Sequence, residues 1–202
     1  MPFGERFPQV LDAARAGAEW AWAEVYEEFA PHLLRFIASQ GAHEPEDCLG
    51  ECFVQLVRNL PGFSGDESAF RAWLFLLARN RVVDEWRAAR RRPVTPSGDP
   101  VTPRGVAEPV DTIVVGRSAV ADLLGSLAPD QRAVIVLRVL EGFSVAETAR
   151  ILRRSAGAVR VLQHRALKRL RSGLEDAPST TSVPHTAGRP RPSGKVSVGL
   201  TD

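Results

Sequence analysis

The segment Phe143 to Leu170, FSVAETARILRRSAGAVRVLQHRALKRL, constrains the architecture of this chain more than any other stretch. Ser144-Val-Ala-Glu147 is a capping box: the serine oxygen takes a backbone N–H of the first turn and the glutamate reaches back to the serine N–H. Ser155 is a second helix cap. Two helix starts this close leave room for one short helix and a tight junction. Val145, Thr148, Ala149 and Leu152 supply the inner side of the first helix, and Val159, Leu162, Ala166 and Leu170 recur at helical spacing in the second. Ala149 is small enough for close approach. These are the parts of a helix-turn-helix.

The rest of the chain also reads as helix. From Ala18 to Gln40, Ala21, Val25, Phe29, Leu33 and Ile37 recur every four residues, with Trp22, Tyr26 and Phe36 widening the stripe. After Gly41 and Pro45, a second stripe runs through Leu49, Cys52, Phe53, Leu56, Val57 and Leu60. Turn residues from Pro61 to Asp66 end it. Ser68 is placed to cap a third helix bearing Phe70, Trp73, Leu74 and Leu77. A short break near Asn80 precedes a fourth, with Val82, Val83 and Trp86 inward and Arg87, Arg90, Arg91 and Arg92 outward. The later part predicts a helix through Val115, Ala119, Leu123 and Leu127. Another starts near Pro129, carries Val134 to Leu140 and closes at Gly142.

The expected fold class is therefore all-α: two small four-helix domains, the second carrying the helix-turn-helix, joined by a flexible linker. The expected domains are residues 1–92 and 111–175. The Pro-, Gly- and Thr-rich stretch 93–110 reads as linker and 176–202 as a disordered tail. Hydrophobic residues at 44% and charged residues at 25% are ordinary for a globular chain.

Charge is informative through its distribution, since the net value is only +2. Acids dominate up to Leu60, whereas Arg71 to Arg92 is basic. Between Arg150 and Arg171, Arg153, Arg154, Arg160, Arg165, Lys168 and Arg169 meet no acid. Two basic helical stretches are the footprint of a nucleic-acid binder. On the second helix of the helix-turn-helix, Gly157, Arg160, Val161, His164 and Lys168 lie opposite the apolar stripe, starting from the end that enters a major groove. Arg160 suits a guanine edge, worth about 1–3 kcal/mol of discrimination. Val161 suits a thymine methyl and His164 a base edge, while Arg165 and Lys168 suit phosphates.

The segment FRAWLFLLARNRVVDEWRAARRR from Phe70 to Arg92 interleaves aromatics with arginines, which suits single-stranded DNA. Spacing favours a core role for Trp73 and Trp86. Arg79, Asn80 and Arg81 sit at the expected break, where a flipped base could be read, and Arg87, Arg90 and Arg91 follow.

The order of these pieces, from Phe7 to about Leu174, resembles the extracytoplasmic function (ECF) group of the sigma-70 family of bacterial RNA polymerase sigma factors. EDCLGECFVQLVRNLPGF followed by SAFRAWLFLLARNRVVDEWRAARRR resembles region two; LAPDQRAVIVLRVLEGFSVAETARILRRSAGAVRVLQHRALKRLR resembles region four. The resemblance implies core RNA polymerase and promoter DNA as partners, with an anti-sigma factor as a further one. It implies that Asp47, Glu51 and Arg58 face the clamp of polymerase, with Phe53 on the core side. It implies that Arg79, Asn80, Arg81, Arg87, Arg90 and Arg91 serve the minus-10 element. Ser155, Gly157, Arg160, Val161, His164, Arg165 and Lys168 would serve the minus-35 element. Two departures stand out. Gly50 replaces the family's usual glutamine in the clamp-binding helix, and Val161-Leu162 replaces a usual Ser-Arg pair.

Other chemistry is not encoded. There is no phosphate-binding glycine loop, nucleophile elbow or His–carboxylate metal motif, so no catalytic residue, cofactor or metal is expected. His43, Cys48 and Cys52 lack a fourth ligand, and core thiols are the better reading. With no membrane-length apolar run and no signal segment, a cytoplasmic protein is expected. The competing reading is a one-component helix-turn-helix regulator whose first domain senses a ligand or dimerises.

Overall fold

The computed structural model describes residues 2–91 and 121–175. The expected linker at 93–110, the positions Val115 and Ala119, and the expected tail lie outside the described residues. Every described element is helical: α1 (Phe7–Arg15), α2 (Glu19–Ser39), α3 (Pro45–Asn59), α4 (Glu67–Arg91), α5 (residues 121–125), α6 (Pro129–Ile135), α7 (Val145–Leu152) and α8 (Ala156–Glu175).

The N-terminal set has four helices, but not the four that the sequence pattern suggests. Helix α1 is additional; it buries Phe7, Val10, Leu11 and Ala14, a helical i, i+3, i+4, i+7 stripe. The expected break near Asn80 is absent, and the third and fourth expected helices are one continuous α4. Ala78 and Val82 are both fully buried on either side of Asn80. Core packing on both sides outweighs the weak helix propensity of one asparagine, roughly 0.5 kcal/mol. The cap of α4 is also corrected. Asp66 accepts from the Ala69 N–H (2.7 Å), and Ser68 lies inside the helix.

Helices α1 to α4 enclose Phe29, Phe36, Phe70 and Phe75. Burial of each phenylalanine contributes about 1.5–3 kcal/mol. The buried Glu67 carboxylate takes the backbone N–H groups of Phe3 and Gly4 (3.0 and 2.9 Å), tying the N-terminal turn to the start of α4.

The second set does not stand apart. Helix α4 packs on α7, and α2 touches α6 and the turn after it. Val134, Leu137, Phe143, Ile151 and Val159 join the same apolar cluster as Phe36 and Phe75. Phe75 and Phe143 meet edge-on at 4.9 Å between centroids.

Helix α6 runs into a wider π turn, Val136–Leu140, in which the Glu141 N–H donates to the Val136 carbonyl at 2.9 Å. One extra residue in a turn rotates the next side chains by about 100° around the axis. Val139 and Leu140 emerge exposed, while Glu141 comes out buried. Gly142 (φ +71°) then ends the helix, with the Phe143 N–H returning to the Leu137 carbonyl at 2.9 Å.

Candidate nucleic-acid interface

Both caps of the helix-turn-helix form as the sequence requires. Ser144 Oγ accepts from the Glu147 N–H (3.2 Å), and Glu147 Oε2 accepts from the Ser144 N–H (2.7 Å). Ser155 Oγ accepts from the Ala158 N–H at 3.1 Å. Between the helices the chain turns at Arg153, which is left-handed (φ 52°), and the Arg154 N–H closes back on the Ala149 carbonyl at 2.9 Å. Val159 and Ala166 are buried and Leu162 and Leu170 half-buried, as the apolar stripe predicts.

The opposite face of α8 is open. Ser155, Gly157, Arg160, Val161, His164, Arg165 and Lys168 are all exposed, with Val161 at 48%. Exposed guanidinium, imidazole, ammonium and methyl groups along one capped helix can meet base edges and phosphates with no rearrangement of the core.

The minus-10 candidates are divided. Arg87 and Arg90 are exposed, whereas the side chain of Arg91 lies outside the described part. Arg87 lies near Asp84 (3.4 Å). Asn80 is half-buried on unbroken helix. Arg81 is paired with Glu51, so a residue expected at DNA is joined to one expected at polymerase. Arg79 is withdrawn: its side chain is 15% exposed, and its Nε and Nη1 have no hydrogen-bond partner. Burial lowers its pKa, opposed only in part by the Asp130 carboxylate, and its guanidinium lies 5.9 Å from the Trp86 ring. Trp73 stacks on Phe63 (5.0 Å, 15°), and both Trp73 and Trp86 pack against the core, the reading that spacing favours.

Asp47, Glu51 and Arg58 are exposed on α3, opposite the buried Cys48, Leu49, Cys52 and Leu56. Cys48 and Cys52 are core thiols; their mutual hydrogen bond, together with burial, pushes the Cys52 pKa up. The buried stripe is narrower here than its spacing predicts. Val57 is 51% exposed and Tyr26 51%, and with Trp22 and Phe53 they line a shallow apolar groove between α2 and α3.

Pairings that no sequence signal announces join the two helical sets. The Glu141 carboxylate accepts from His32 Nδ1 (2.8 Å), from Arg35 Nη2 (2.9 Å) and more distantly from Arg71 Nη2 (3.3 Å). Asp130 faces both Arg79 (3.5 Å) and Arg154 (2.5 Å). Arg132 donates to the Ser39 carbonyl that ends α2 (2.9 Å) and to the carbonyls of Leu124, Gly125 and Leu127, satisfying helix-end acceptors. Ser68 Oγ donates to Glu147 Oε1 at 2.6 Å. Among the described residues no helix is long and apolar enough to cross a membrane.

Comparison with known proteins matches two parts of the chain to family descriptions: "Sigma-70 region 2" over residues 25–92 and "Sigma-70, region 4" over residues 117–170. The ECF RNA polymerase sigma factor BldN of Streptomyces coelicolor is 31% identical, over 85% of this chain and 67% of its own length. The ECF RNA polymerase sigma factor SigD of Mycobacterium tuberculosis is 32% identical, over 85% of each. Among solved structures, CnrH in complex with the cytosolic domain of CnrY superposes with a TM-score of 0.61 at 26% identity. It covers 84% of this chain and 97% of that one.

Proposed function

Because this chain belongs to the ECF group of the sigma-70 family, and is an RNA polymerase sigma factor that acts with core polymerase and promoter DNA, we propose a division of labour among its helices. The exposed α3 face with Asp47, Glu51 and Arg58 docks on polymerase. The α8 face with Ser155, Gly157, Arg160, Val161, His164, Arg165 and Lys168 reads the minus-35 element as duplex. The second half of α4, with Arg79, Asn80, Arg81, Arg87, Arg90 and Arg91, holds the minus-10 element as single strand. The chain itself performs no catalysis and works in the cytoplasm, where polymerase and chromosome are. An inhibitory protein of the anti-sigma kind is its third partner.

One observation carries this reading. The second helix of the helix-turn-helix leaves Arg160, Val161, His164, Arg165 and Lys168 exposed along one face, while Val159 and Ala166 on the other are buried. Melting arises from differential binding: bases held near Asn80 favour the open strand and offset unstacking of a few kcal/mol. Transcription reconstituted with core polymerase and a mapped promoter is the test. The chain alone supports promoter-specific initiation, and Asn80→Ala reduces permanganate-reactive open complex more than it reduces binding to closed duplex. Initiation that requires a second sigma factor would instead support the one-component regulator.

A further inference from the structure

We propose that the shallow apolar groove between α2 and α3 is a docking site for the chain's own segment 176–202, with the run Arg189-Pro190-Arg191-Pro192 laid across its aromatic floor. Trp22, Tyr26, Phe53 and Val57 line the groove, and the Tyr26 and Phe53 rings stand 4.8 Å apart at 49°. Its volume of about 450 Å³ is within the range of clefts that hold ligands, about 300–1,000 Å³. Aromatic grooves of this kind take polyproline segments, because proline rings pack on aromatic faces and the extended helix needs little ordering to bind.

The rim supplies the charge. Glu19 and Glu27 border the groove on α2, both are exposed, and neither carboxylate has a hydrogen-bond or ion-pair partner among the described residues. They stand eight residues apart, about 12 Å along the helix axis. An apolar floor flanked by two unpaired carboxylates selects a segment that is apolar, cationic and free of acids.

The sequence beyond α8 is of this kind. Residues 177–201 hold Arg189, Arg191 and Lys195 and no acid. Pro190 and Pro192 fix φ near −65°, which opposes an α-helix and favours polyproline II. At about 3.1 Å per residue, Arg189 and Arg191 are about 6 Å apart along that helix, and its three-residue turn sends their long side chains in different directions, toward the two ends of the rim.

The tether is long enough. Residues 176–188 separate Glu175, at the end of α8, from Arg189. Their contour of about 43–47 Å is comparable with the roughly 40 Å width of a compact body of this size. A short tether gives an effective concentration on the order of 1 mM, so a contact with a Kd on the order of 0.1 mM between separate molecules is closed about nine-tenths of the time.

The test uses the full chain, labelled with nitrogen-15 and carrying a nitroxide on Ser193→Cys; Cys48 and Cys52 are buried and stay unlabelled. The nitroxide is expected to broaden the Trp22 indole N–H and the Ala23 and Val57 amides. Arg189→Glu with Arg191→Glu should abolish the broadening, and adding Glu19→Lys with Glu27→Lys should restore it, because the exchanged charges are again complementary. A free peptide of residues 185–200 should bind the arginine-reversed chain about tenfold more tightly than wild type, whose own segment holds the groove. Broadening that survives the arginine reversal, or that charge exchange does not restore, overturns the proposal, as does equal peptide affinity. Broadening seen only between a nitroxide-bearing chain and a separate labelled chain assigns the groove to a second copy instead. Absence of broadening, with Tyr26→Ala weakening the hold on core polymerase, assigns it to polymerase; either outcome overturns the proposal.

Discussion

Asp130 Oδ1, at the start of α6, lies 3.5 Å from Arg79 Nη2 in the middle of α4, so an acid of one helical set answers an arginine of the other. The same carboxylate holds Arg154 through its second oxygen at 2.5 Å. Arg79 is the less exposed cation and already has two nitrogens without partners. Asp130→Asn leaves it with no nearby anion, at a cost of about 1–2 kcal/mol. For a chain of this length that lowers Tm by roughly 2–8 °C. Thermal unfolding followed by circular dichroism checks this; an unchanged Tm would show that the seam between the two helical sets contributes nothing to the fold.

Arg160 and Lys168 separate two kinds of DNA contact. Both are exposed, and neither side chain forms a hydrogen bond or ion pair among the described residues, so alanine at either position should change stability by less than about 0.5 kcal/mol. Arg160→Ala is expected to weaken minus-35 duplex binding by about 5- to 150-fold and to relax the preference at one base pair. Lys168→Ala should weaken all sequences alike and flatten the salt dependence by about one unit of slope. Fluorescence anisotropy over a salt series, on matched and mismatched duplexes, distinguishes them. Identical behaviour of the two variants contradicts the assignment of Arg160 to a base.

How much of this was legible in the sequence depends on the range of the interaction. The Ser144–Glu147 box and the Ser155 cap span four residues each, and their chemistry is written in those residues. Periodicity likewise gave α2, α3 and the inner side of α8. The continuity of α4 through Asn80 was not legible, because a local propensity was overruled by burial of Ala78 and Val82. The seam was least visible. His32, Arg35, Arg71 and Glu141 read as ordinary surface charges, and they meet across 70 to 109 positions. Nothing in local spacing distinguishes a carboxylate destined for burial there. The apolar groove is hidden for a related reason: the stripe positions Tyr26 and Val57 have helical register, but among the described residues no element packs over them.

Gly50 is a cheap place to gain stability. It lies inside α3 on the exposed side, and an added Cβ would meet no atom within 4 Å. Gly50→Ala removes backbone freedom from the unfolded chain and should stabilise by about 0.5–1 kcal/mol. The urea midpoint should rise while the slope stays constant. Its neighbours Asp47 and Glu51 are assigned to polymerase, so the same variant tests whether docking tolerates a methyl group there. Unchanged affinity for core polymerase with a higher midpoint is the expected result. A lower midpoint would mean that α3 is strained at this position.

Glu147 links the DNA-reading motif to the seam, and its titration should be visible. Burial pushes its carboxyl up, but hydrogen bonds from Ser144 and Ser68 and the charge of Arg150 outweigh that, and the pKa lies below the ordinary value of 4.5. A carboxyl depressed on folding contributes stability that is complete above its unfolded value and is lost as pH falls through the folded one. The difference in unfolding free energy between wild type and Glu147→Gln should therefore be constant from neutral pH down to about 5 and shrink below the ordinary glutamate range. Urea titrations at closely spaced pH values measure it. Ser68→Ala removes the contribution from α4 alone, so in that background the loss should be smaller and should be complete at a higher pH, while its onset, set by the unfolded chain, stays put. A loss of unchanged size and unchanged end point would mean that the capping box by itself sets the Glu147 titration, with no share for the contact across the seam.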